Sequence, residues 1–375
     1  MTKPVLGVSI IVVNYNNEPF LAAAIDSALN QDHPICEVIV VDDCSTDNSR
    51  AVIAHYNGRV RSMLRETNGH QVAALNSGWP LARYPILIFL DSDDLLFPYA
   101  AATIAKRWTN KTVKMQFPLA TIDEKGCPLG HVAPKYPAEL DTSAIRSALL
   151  RTGGSPNSPA SGNAYSRSLL EIVTRESGFD LENLSEHWMD AILECNAPFY
   201  GEVMTLNRPL ACYRIHGGNL YAARTVDSAH FIKMLNTLTI KIDYLARRCR
   251  TWGIPFDAAA ARARSPWTLE CGLAAAKLAA TKLPVREPLL PSVFRAMNFY
   301  LTAPMPVSQR IVRALWFISV ATTPRPVARR LIALRFVVTQ RPAWLKRLLM
   351  IAYFFARSRD QRERASSIDR CEEIS

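Results

Sequence analysis

Short apolar runs alternate with amphipathic stretches through the first ninety residues. The first of these runs is rich in β-branched residues, as expected of a strand covered on both faces, and three further runs have the length of strands. The stretches between them carry apolar residues at helical spacing. The predicted strands are Val8–Val13, Glu37–Val41, a third near Val60–Leu64, and Tyr84–Leu90; the predicted helices are Pro19–Leu29, one beginning near Asn48, and Gln71–Ala82.

Polar residues follow three of the four predicted strands, at positions 14–15, 42–43 and 91–94. Strands that alternate with helices at this spacing predict an α/β fold with a mostly parallel, Rossmann-like sheet flanked by helices. Ligands of such sheets bind beyond the carboxyl ends of the strands, which share one edge. We therefore expect the three polar clusters to serve a single site.

The cluster Asp91-Ser92-Asp93-Asp94 places three carboxylates within four residues, directly after an apolar strand. Their mutual repulsion favours a divalent cation or several hydrogen-bond donors beside them. A solvated turn with a helix cap is the alternative, because Asp is common at both. The chain contains neither G-x-G-x-x-G after the first strand nor G-x-x-x-x-G-K-[ST], which argues against a dinucleotide dehydrogenase or a P-loop NTPase. A phosphate ligand would then be held through a metal ion.

Several segments, taken in order, resemble glycosyltransferase family 2. They are VSIIVVNYNN, VIVVDDCSTDNS, the segment from Asn68 to Gly78, which follows the N-x-G-x-x-x-A-x-N-x-G pattern except for His70 at the first Gly, FLDSDD, SGNAYSRSLL from Ser161, APFYGEV from Ala197 and YRIHGGN from Tyr213. The resemblance covers about residues 6 to 220, and the ordered series is far more specific than any one motif. It implies a GT-A fold that transfers a sugar, usually from a UDP-sugar, with inversion at the anomeric carbon.

The resemblance also assigns roles by position. Asp43 and its neighbour Asp42 would read the nucleotide base, and the turn at Asn14 and Tyr15 would line that pocket. Asp91 would face the ribose or the metal. The implied donor-binding residues are Asn14, Tyr15, Asp42, Asp43, Asp91 and Arg214, and the implied ligands of Mg²⁺ or Mn²⁺ are Asp93, Asp91 and His216.

Asp93 would be the direct metal ligand, while Asp94 either orders its loop or caps the following turn. Arg214 would neutralise phosphate, and His216 is a weaker metal or phosphate candidate, since a lone His is more often structural. Cys44 and His70 stand where the family frequently has Gly. We expect the turn at Cys44 to form without a positive φ angle.

An inverting transferase also needs a general base on the acceptor side, because the attacking hydroxyl must lose a proton. The family places a carboxylate just before the helix that ends in A-P-F-x-G, which here points to Asp190. Glu186 and His187 are alternatives if the register is shifted. The alternative is that Asp190 has no catalytic role and lies on a solvated helix face.

Charge divides the chain into two parts. The sequence has 44 Lys and Arg against 33 Asp and Glu, a net charge of +11. Residues 295–364 hold 14 of the basic residues and only two of the acidic ones, so the remainder is near neutral. We predict a GT-A domain over 1–225, with a donor part (1–100) and an acceptor part (101–225), followed by a helical extension over 226–375 that is basic and amphipathic from about 295.

The basic tract interleaves Arg with the apolar runs 314–318, 331–338 and 348–355. None reaches the roughly 20 residues that a spanning helix requires. We therefore expect residues 295–364 to lie on an anionic membrane surface. The alternative is a helical subdomain or an oligomer contact between identical chains, with a solvated basic face. Nucleic acid is disfavoured, because the aromatic residues fall within apolar runs.

These observations predict an inverting, metal-dependent glycosyltransferase with a glycan or lipid-linked acceptor, acting in cell-surface polysaccharide assembly. The first strand begins close to Met1, which predicts no signal peptide, and eight cysteines without a C-x-x-C pair are typical of a reducing cytosol. We expect a cytoplasmic protein, peripheral on the inner face of the membrane. A catalytically inactive scaffold with the same fold is the alternative.

Overall fold

The computed structural model describes residues 5–137, 140–176, 189–219, 226–278, 289–302, 307–337 and 342. In chain order, the strands are β1 (Val8–Asn14), β2 (Cys36–Asp42), β3 (Arg61–Leu64), β4 (Ile86–Asp91), β5 (Leu95–Leu96), β6 (Thr112–Gln116), β7 (Leu119–Asp123), β8 (Pro128–Ala133), β9 (Asn163–Ser166), β10 (Glu202–Thr205) and β11 (Ala211–Ile215). The helices are α1 (Glu18–Leu29), α2 (Ser49–His55), α3 (His70–Gly78), α4 (Ala100–Arg107), α5 (Thr142–Thr152), α6 (Arg167–Glu176), α7 (Met189–Tyr200), α8 (Ser228–Thr251), α9 (Ala258–Arg264), α10 (Pro266–Leu278), α11 (Leu289–Thr302), α12 (Val307–Thr322) and α13 (Arg325–Phe336).

A seven-stranded sheet with the order β10-β6-β9-β4-β1-β2-β3 forms the centre of the fold. Strands β3, β2, β1 and β4 are parallel, and β9 runs antiparallel between β4 and β6. A second sheet has the order β5-β11-β7-β8. The predicted α/β architecture with a mostly parallel sheet and C-terminal helices is confirmed.

All four predicted strands and three predicted helices of the first ninety residues occur, with shifts at their ends. Helix α3 is the largest difference, because it stops at Gly78 and a 3₁₀ turn covers Trp79–Leu81. Proline at position 80 has no N–H to donate and restricts the residue before it. Gly78 also lets α3 approach the sheet: a Cβ there would lie 2.6 Å from Val41 Cγ2.

The segment that the resemblance places at Ser161 contains a central strand. Residues Asn163–Ser166 form β9, whose backbone pairs with β4 on one side and β6 on the other. Ala164 and Tyr165 are buried there. A 3₁₀ turn over Ala160–Gly162, which includes Ser161, precedes the strand.

The C-terminal helices pack around their own apolar cluster. Phe231 of α8, Leu273 of α10, Phe317 of α12 and Ile332 of α13 are buried within it. Ile332, Ala333 and Val337 of the run 331–338, with Ala314 and Phe317 of the run 314–318, are therefore buried, as expected for a helical subdomain. The run 348–355 lies outside the described residues.

Helix α8 belongs to two clusters, because its later residues Tyr244 and Leu245 pack with the large sheet. The domain boundary near residue 226 remains a prediction. Among the described residues, no helix combines the length and apolar character needed to span a bilayer. All seven described cysteines are free thiols.

Candidate active site

The carboxyl ends of β1, β2 and β4 lie level at one edge of the sheet. In the strand register, Asn14 is opposite Asp42 and Val13 is opposite Asp91. Backbone N–H groups then join the loops: Asp43 N donates to Asn14 O at 2.9 Å, and Ser92 N donates to Val13 O at 3.1 Å. The predicted meeting of the three polar clusters at one edge is confirmed.

Side chains reinforce this junction. The Asn14 amide donates to Asp42 Oδ1 (2.9 Å) and to Ser45 Oγ (3.1 Å), and both Asn14 and Asp42 are fully buried. The Asn17 amide donates to Ser92 Oγ at 3.0 Å, which joins the loop after β1 to the acidic loop. Tyr15 stays about half exposed beside this network, so its ring is available at the edge of the cleft.

Positive groups surround both carboxylates that follow β2. Asp42 Oδ2 accepts from the Ser45 backbone N–H and from Arg50 Nε, each at 3.0 Å. Burial alone would raise the pKa of Asp42, but the hydrogen bonds from Ser45, Asn14 and Arg50 outweigh it and lower that pKa. This carboxylate is therefore held in its ionised form by the protein itself.

Asp43 is equally well supplied with donors. Its Oδ1 lies 2.7 Å from Arg65 Nε, and the Gly69 backbone N–H donates to its carboxylate at 3.1 Å. Gly69 lies within the matched segment from Asn68 to Gly78, whereas Arg65 and Arg50 had no recognisable signal in the sequence. Only the three-dimensional packing places both arginines at the candidate site.

Cys44 and His70 adopt positive φ angles of 65° and 61°. The expectation that the turn at Cys44 avoids this region is wrong. The Ser45 N–H bond to Asp42 tightens one turn, and Asn68 Oδ1 accepts from His70 N at 3.1 Å in the other. These local hydrogen bonds offset the cost that a Cβ brings to left-handed backbone.

The acidic loop after β4 gathers Asp91, Asp93 and Asp94, each offering a carboxylate oxygen within 4.8 Å of the others. Gln71 Nε2 donates to Asp91 Oδ1 at 3.1 Å, and the backbone N–H of Asp91 donates to Ser161 Oγ at 3.0 Å. Among the described ion pairs, His216 Nε2 meets Asp93 Oδ2 at 2.9 Å. A set of close carboxylate oxygens fits a hard divalent cation.

Asp94 is fully buried and ties the acidic loop to the second sheet. Its Oδ1 accepts from the Arg214 backbone N–H at 2.9 Å. Burial, together with the neighbouring Asp93 and Asp91, raises the pKa of Asp94 well above its ordinary range, against the hydrogen bonds from Ser161 and Arg214. Of its two expected roles, the observed contact is the one that orders the loop.

Arg214 and His216, on and just after β11, both contact the Asp93 residue. Arg214 Nε donates to the Asp93 carbonyl at 2.8 Å, and Nη1 donates to the Glu124 carbonyl at 3.1 Å. His216 Nε2 lies 2.9 Å from Asp93 Oδ2. Both side chains are buried against Phe20 of α1. The Arg214 guanidinium therefore holds the loop, and its contact with donor phosphate stays a prediction, as does metal binding by His216.

Asp190 is the second residue of α7, and the alternatives Glu186 and His187 lie outside the described residues. Helix α7 packs against α3, the helix that carries Gln71. One turn beyond Asp190, the buried Glu194 accepts from Ser155 N (2.9 Å) and Lys241 Nζ (2.6 Å). These bonds hold helix α7 against the segment that leads to Ser161, whose Oγ accepts from the Asp91 backbone N–H.

Known proteins support the class that this fold and site define. A family model described as glycosyl transferase family 2 matches residues 9–171. An uncharacterized glycosyltransferase of Nostoc sp. (strain PCC 7120) is 31% identical over 282 residues, which cover 70% of this chain and 84% of that protein. The chain therefore belongs to glycosyltransferase family 2.

Two further similarities cover the sequence and the fold. The succinoglycan biosynthesis protein ExoO of Rhizobium meliloti is 39% identical over 92 residues, covering 24% of this chain and 26% of ExoO. The mannosyltransferase PcManGT from Pyrobaculum calidifontis, solved with GDP-Man and Mn²⁺, superposes with a TM-score of 0.51 at 16% identity, covering 90% of this chain and 87% of that one. This likeness shows the GT-A type of fold.

Proposed function

We propose that this glycosyltransferase uses a divalent metal, Mg²⁺ or Mn²⁺, to transfer a sugar with inversion from a nucleotide-sugar donor, UDP-linked as the family resemblance implies. The acceptor is a glycan or lipid-linked glycan of cell-surface polysaccharide assembly, on the cytoplasmic side. The carboxylate set of Asp91, Asp93 and Asp94 carries the proposal. The carboxylate oxygens of this set lie at the same sheet edge as Asn14 and Asp42, where a nucleotide would find hydrogen-bond donors and acceptors.

Asp93 and Asp91 would hold the metal ion. A bound divalent cation supplies positive charge that stabilises the departing diphosphate. Asp42, Asp43, Asn14 and Tyr15 then bind the nucleoside end of the donor. The buried Asp94 keeps the loop in place by its bond to Arg214 N.

Asp190 is the proposed general base. It takes the proton of the acceptor hydroxyl as that oxygen bonds to the anomeric carbon, while the bond to the diphosphate breaks and its electron pair leaves with the nucleotide. The Glu194 bonds to Ser155 and Lys241 fix the position of α7 relative to the loop that touches Asp91. This connection is the structural support for placing the base on α7.

The test is a hydrolysis and transfer assay over a panel of nucleotide sugars with Mn²⁺, paired with calorimetric nucleotide binding. Asp190→Asn should retain donor binding and lose at least about 100-fold in turnover, within the range of general-base contributions. Glu186→Gln and His187→Asn test the two alternative positions of the general base, and both variants should stay active.

Full activity of Asp190→Asn would reject the base assignment. Nucleotide binding without turnover by the wild type, for any donor in the panel, would support the inactive scaffold. The absence of both binding and turnover would reject the donor proposal as a whole.

A further inference from the structure

Helix α12 exposes an unusual set of side chains to solvent. Its described exposed positions are Val307, Ile311, Val312, Leu315 and Thr322. The four apolar side chains, which we name the α12 face, are 65%, 48%, 65% and 56% exposed. The opposite side of the helix is already packed, since Phe317 and Val320 are buried.

A surface helix normally turns charged residues to the solvent. Helix α8 does so: its exposed positions include Lys233, Arg247 and Arg250, with Ile240 as the single large apolar side chain. On the α12 face, by contrast, the apolar side chains follow one another at positions 307, 311 and 315 with no charged residue among the described exposed positions. Grouped exposed apolar side chains mark an interaction surface, whereas isolated ones do not.

The preceding helix extends this apolar surface. Phe294 and Leu301 of α11 are 78% and 52% exposed. Arg310 Nη1 donates to the Leu301 carbonyl at 3.1 Å, which brings the end of α11 beside the start of α12. Leu301 and Val307 therefore belong to adjoining ends of two packed helices.

The described residues of α11, α12 and α13 carry charge of one sign, since they include seven arginines and no carboxylate. Glu270 of α10 ion-pairs with two of these arginines, Arg313 and Arg335. Arg329 and Arg330 of α13 are exposed, and α13 packs against α12. The three helices thus combine an excess of positive charge with an uncharged apolar face.

We propose that the α12 face docks onto the surface of an anionic lipid bilayer. Aliphatic side chains would enter the boundary between headgroups and acyl chains while the arginines meet anionic headgroups. A second copy of this chain fits less well, because a two-fold contact would bring two arginine-rich surfaces together. Docking of this kind does not depend on the reaction that the enzyme catalyses.

Vesicle sedimentation of the full chain tests the proposal. The probes are phosphatidylcholine vesicles with and without phosphatidylglycerol, at low and high salt. The wild type should bind the anionic vesicles, and Ile311→Asp combined with Leu315→Asp should weaken that binding at least about tenfold, because charge on the buried side of an interfacial helix opposes insertion. Arg329→Ser with Arg330→Ser should weaken it less and remove part of the salt dependence.

Ile240→Asp on α8 is the matched control, since Ile240 is exposed to a similar extent at 53%. It should bind vesicles like the wild type. If the double variant fails to fold, vesicle binding by Val312→Asp provides a second test of the α12 face. The proposal would be overturned if Val312→Asp bound vesicles as well as the wild type, if binding did not depend on phosphatidylglycerol, or if no vesicles were bound at all. A dimer that the face variants dissociate in sedimentation velocity would also overturn it, in favour of a second copy.

Discussion

Two strand ends at the same sheet edge carry acidic clusters with different surroundings. At the end of β2, Asp42 and Asp43 are met by Arg50, Arg65 and backbone N–H groups. At the end of β4, Asp91, Asp93 and Asp94 offer carboxylate oxygens within 4.8 Å of one another, and burial and the two neighbouring acids raise the pKa of Asp94. The first cluster has cationic partners in the fold, and the second is the one that we propose as the metal site. Similar residues therefore lie in different electrostatic surroundings.

The largest effect should come from Asp93→Asn, which removes one charge from the second cluster. We expect Mn²⁺-dependent turnover to fall by about 10² to 10³-fold, the size seen when one preorganised electrostatic group is lost at a reacting centre. A steady-state assay with the donor found in the panel measures it. Asp123→Asn is the matched control, because Asp123 ends β7 and its Oδ1 accepts from Lys125 N and Cys127 N. Equal losses in both variants would contradict a special role for Asp93.

A smaller effect, on stability, should separate the two strand ends in the metal-free protein. Asp42→Asn weakens hydrogen bonds from Arg50, Asn14 and Ser45 to a buried charge, so the free energy of unfolding should fall by about 2 to 3 kcal/mol. Asp91→Asn relieves repulsion among carboxylates and should leave that free energy unchanged or raise it. Urea denaturation in the presence of a chelator provides both values. If Asp91→Asn lowered the free energy of unfolding as much as Asp42→Asn does, the fold would stabilise the charge of Asp91 as well as that of Asp42.

The smallest effect should appear in the dependence of stability on pH. The folded-state pKa of Asp42 is lowered from 3.8, so its contribution is fully present above the unfolded pKa and is lost as pH falls through the folded one. The difference in unfolding free energy between wild type and Asp42→Asn should therefore narrow below about pH 4. Denaturation curves between pH 7 and pH 3 test this. A difference that widens on acidification would mean that Asp42 is not held ionised in the fold.

Much of the donor half could be predicted from sequence, for a physical reason. Its strands β1, β2 and β4 are almost fully buried, so the apolar runs around Ile10, Val40 and Ile88 mark them directly. Parallel topology then sends every strand end to one edge, which is why the acids met where expected. The acceptor half is less regular: its central strand β9 is short, and its last helices are joined by segments without periodic signals.

The residues that the sequence did not indicate are those whose role depends on distant partners. Arg50 and Arg65 lie in ordinary polar surroundings along the chain, yet they reach Asp42 and Asp43 in the fold. The positive φ angles of Cys44 and His70 were missed because side-chain hydrogen bonds compensate for them. The register of the base also stays a prediction at Asp190.

By itself, the sequence determined the class of this protein. Local periodicity defines the buried strands and crossover helices, and the ordered series of motifs leaves few other folds. Only the tertiary structure showed that Arg50 and Arg65 neutralise Asp42 and Asp43. It also decided which apolar residues of the basic tract are core, as Phe317 and Ile332 are, and which face solvent, as Ile311 and Leu315 do. Hydropathy counts apolar residues along the chain, but only packing determines whether a given side chain has neighbours.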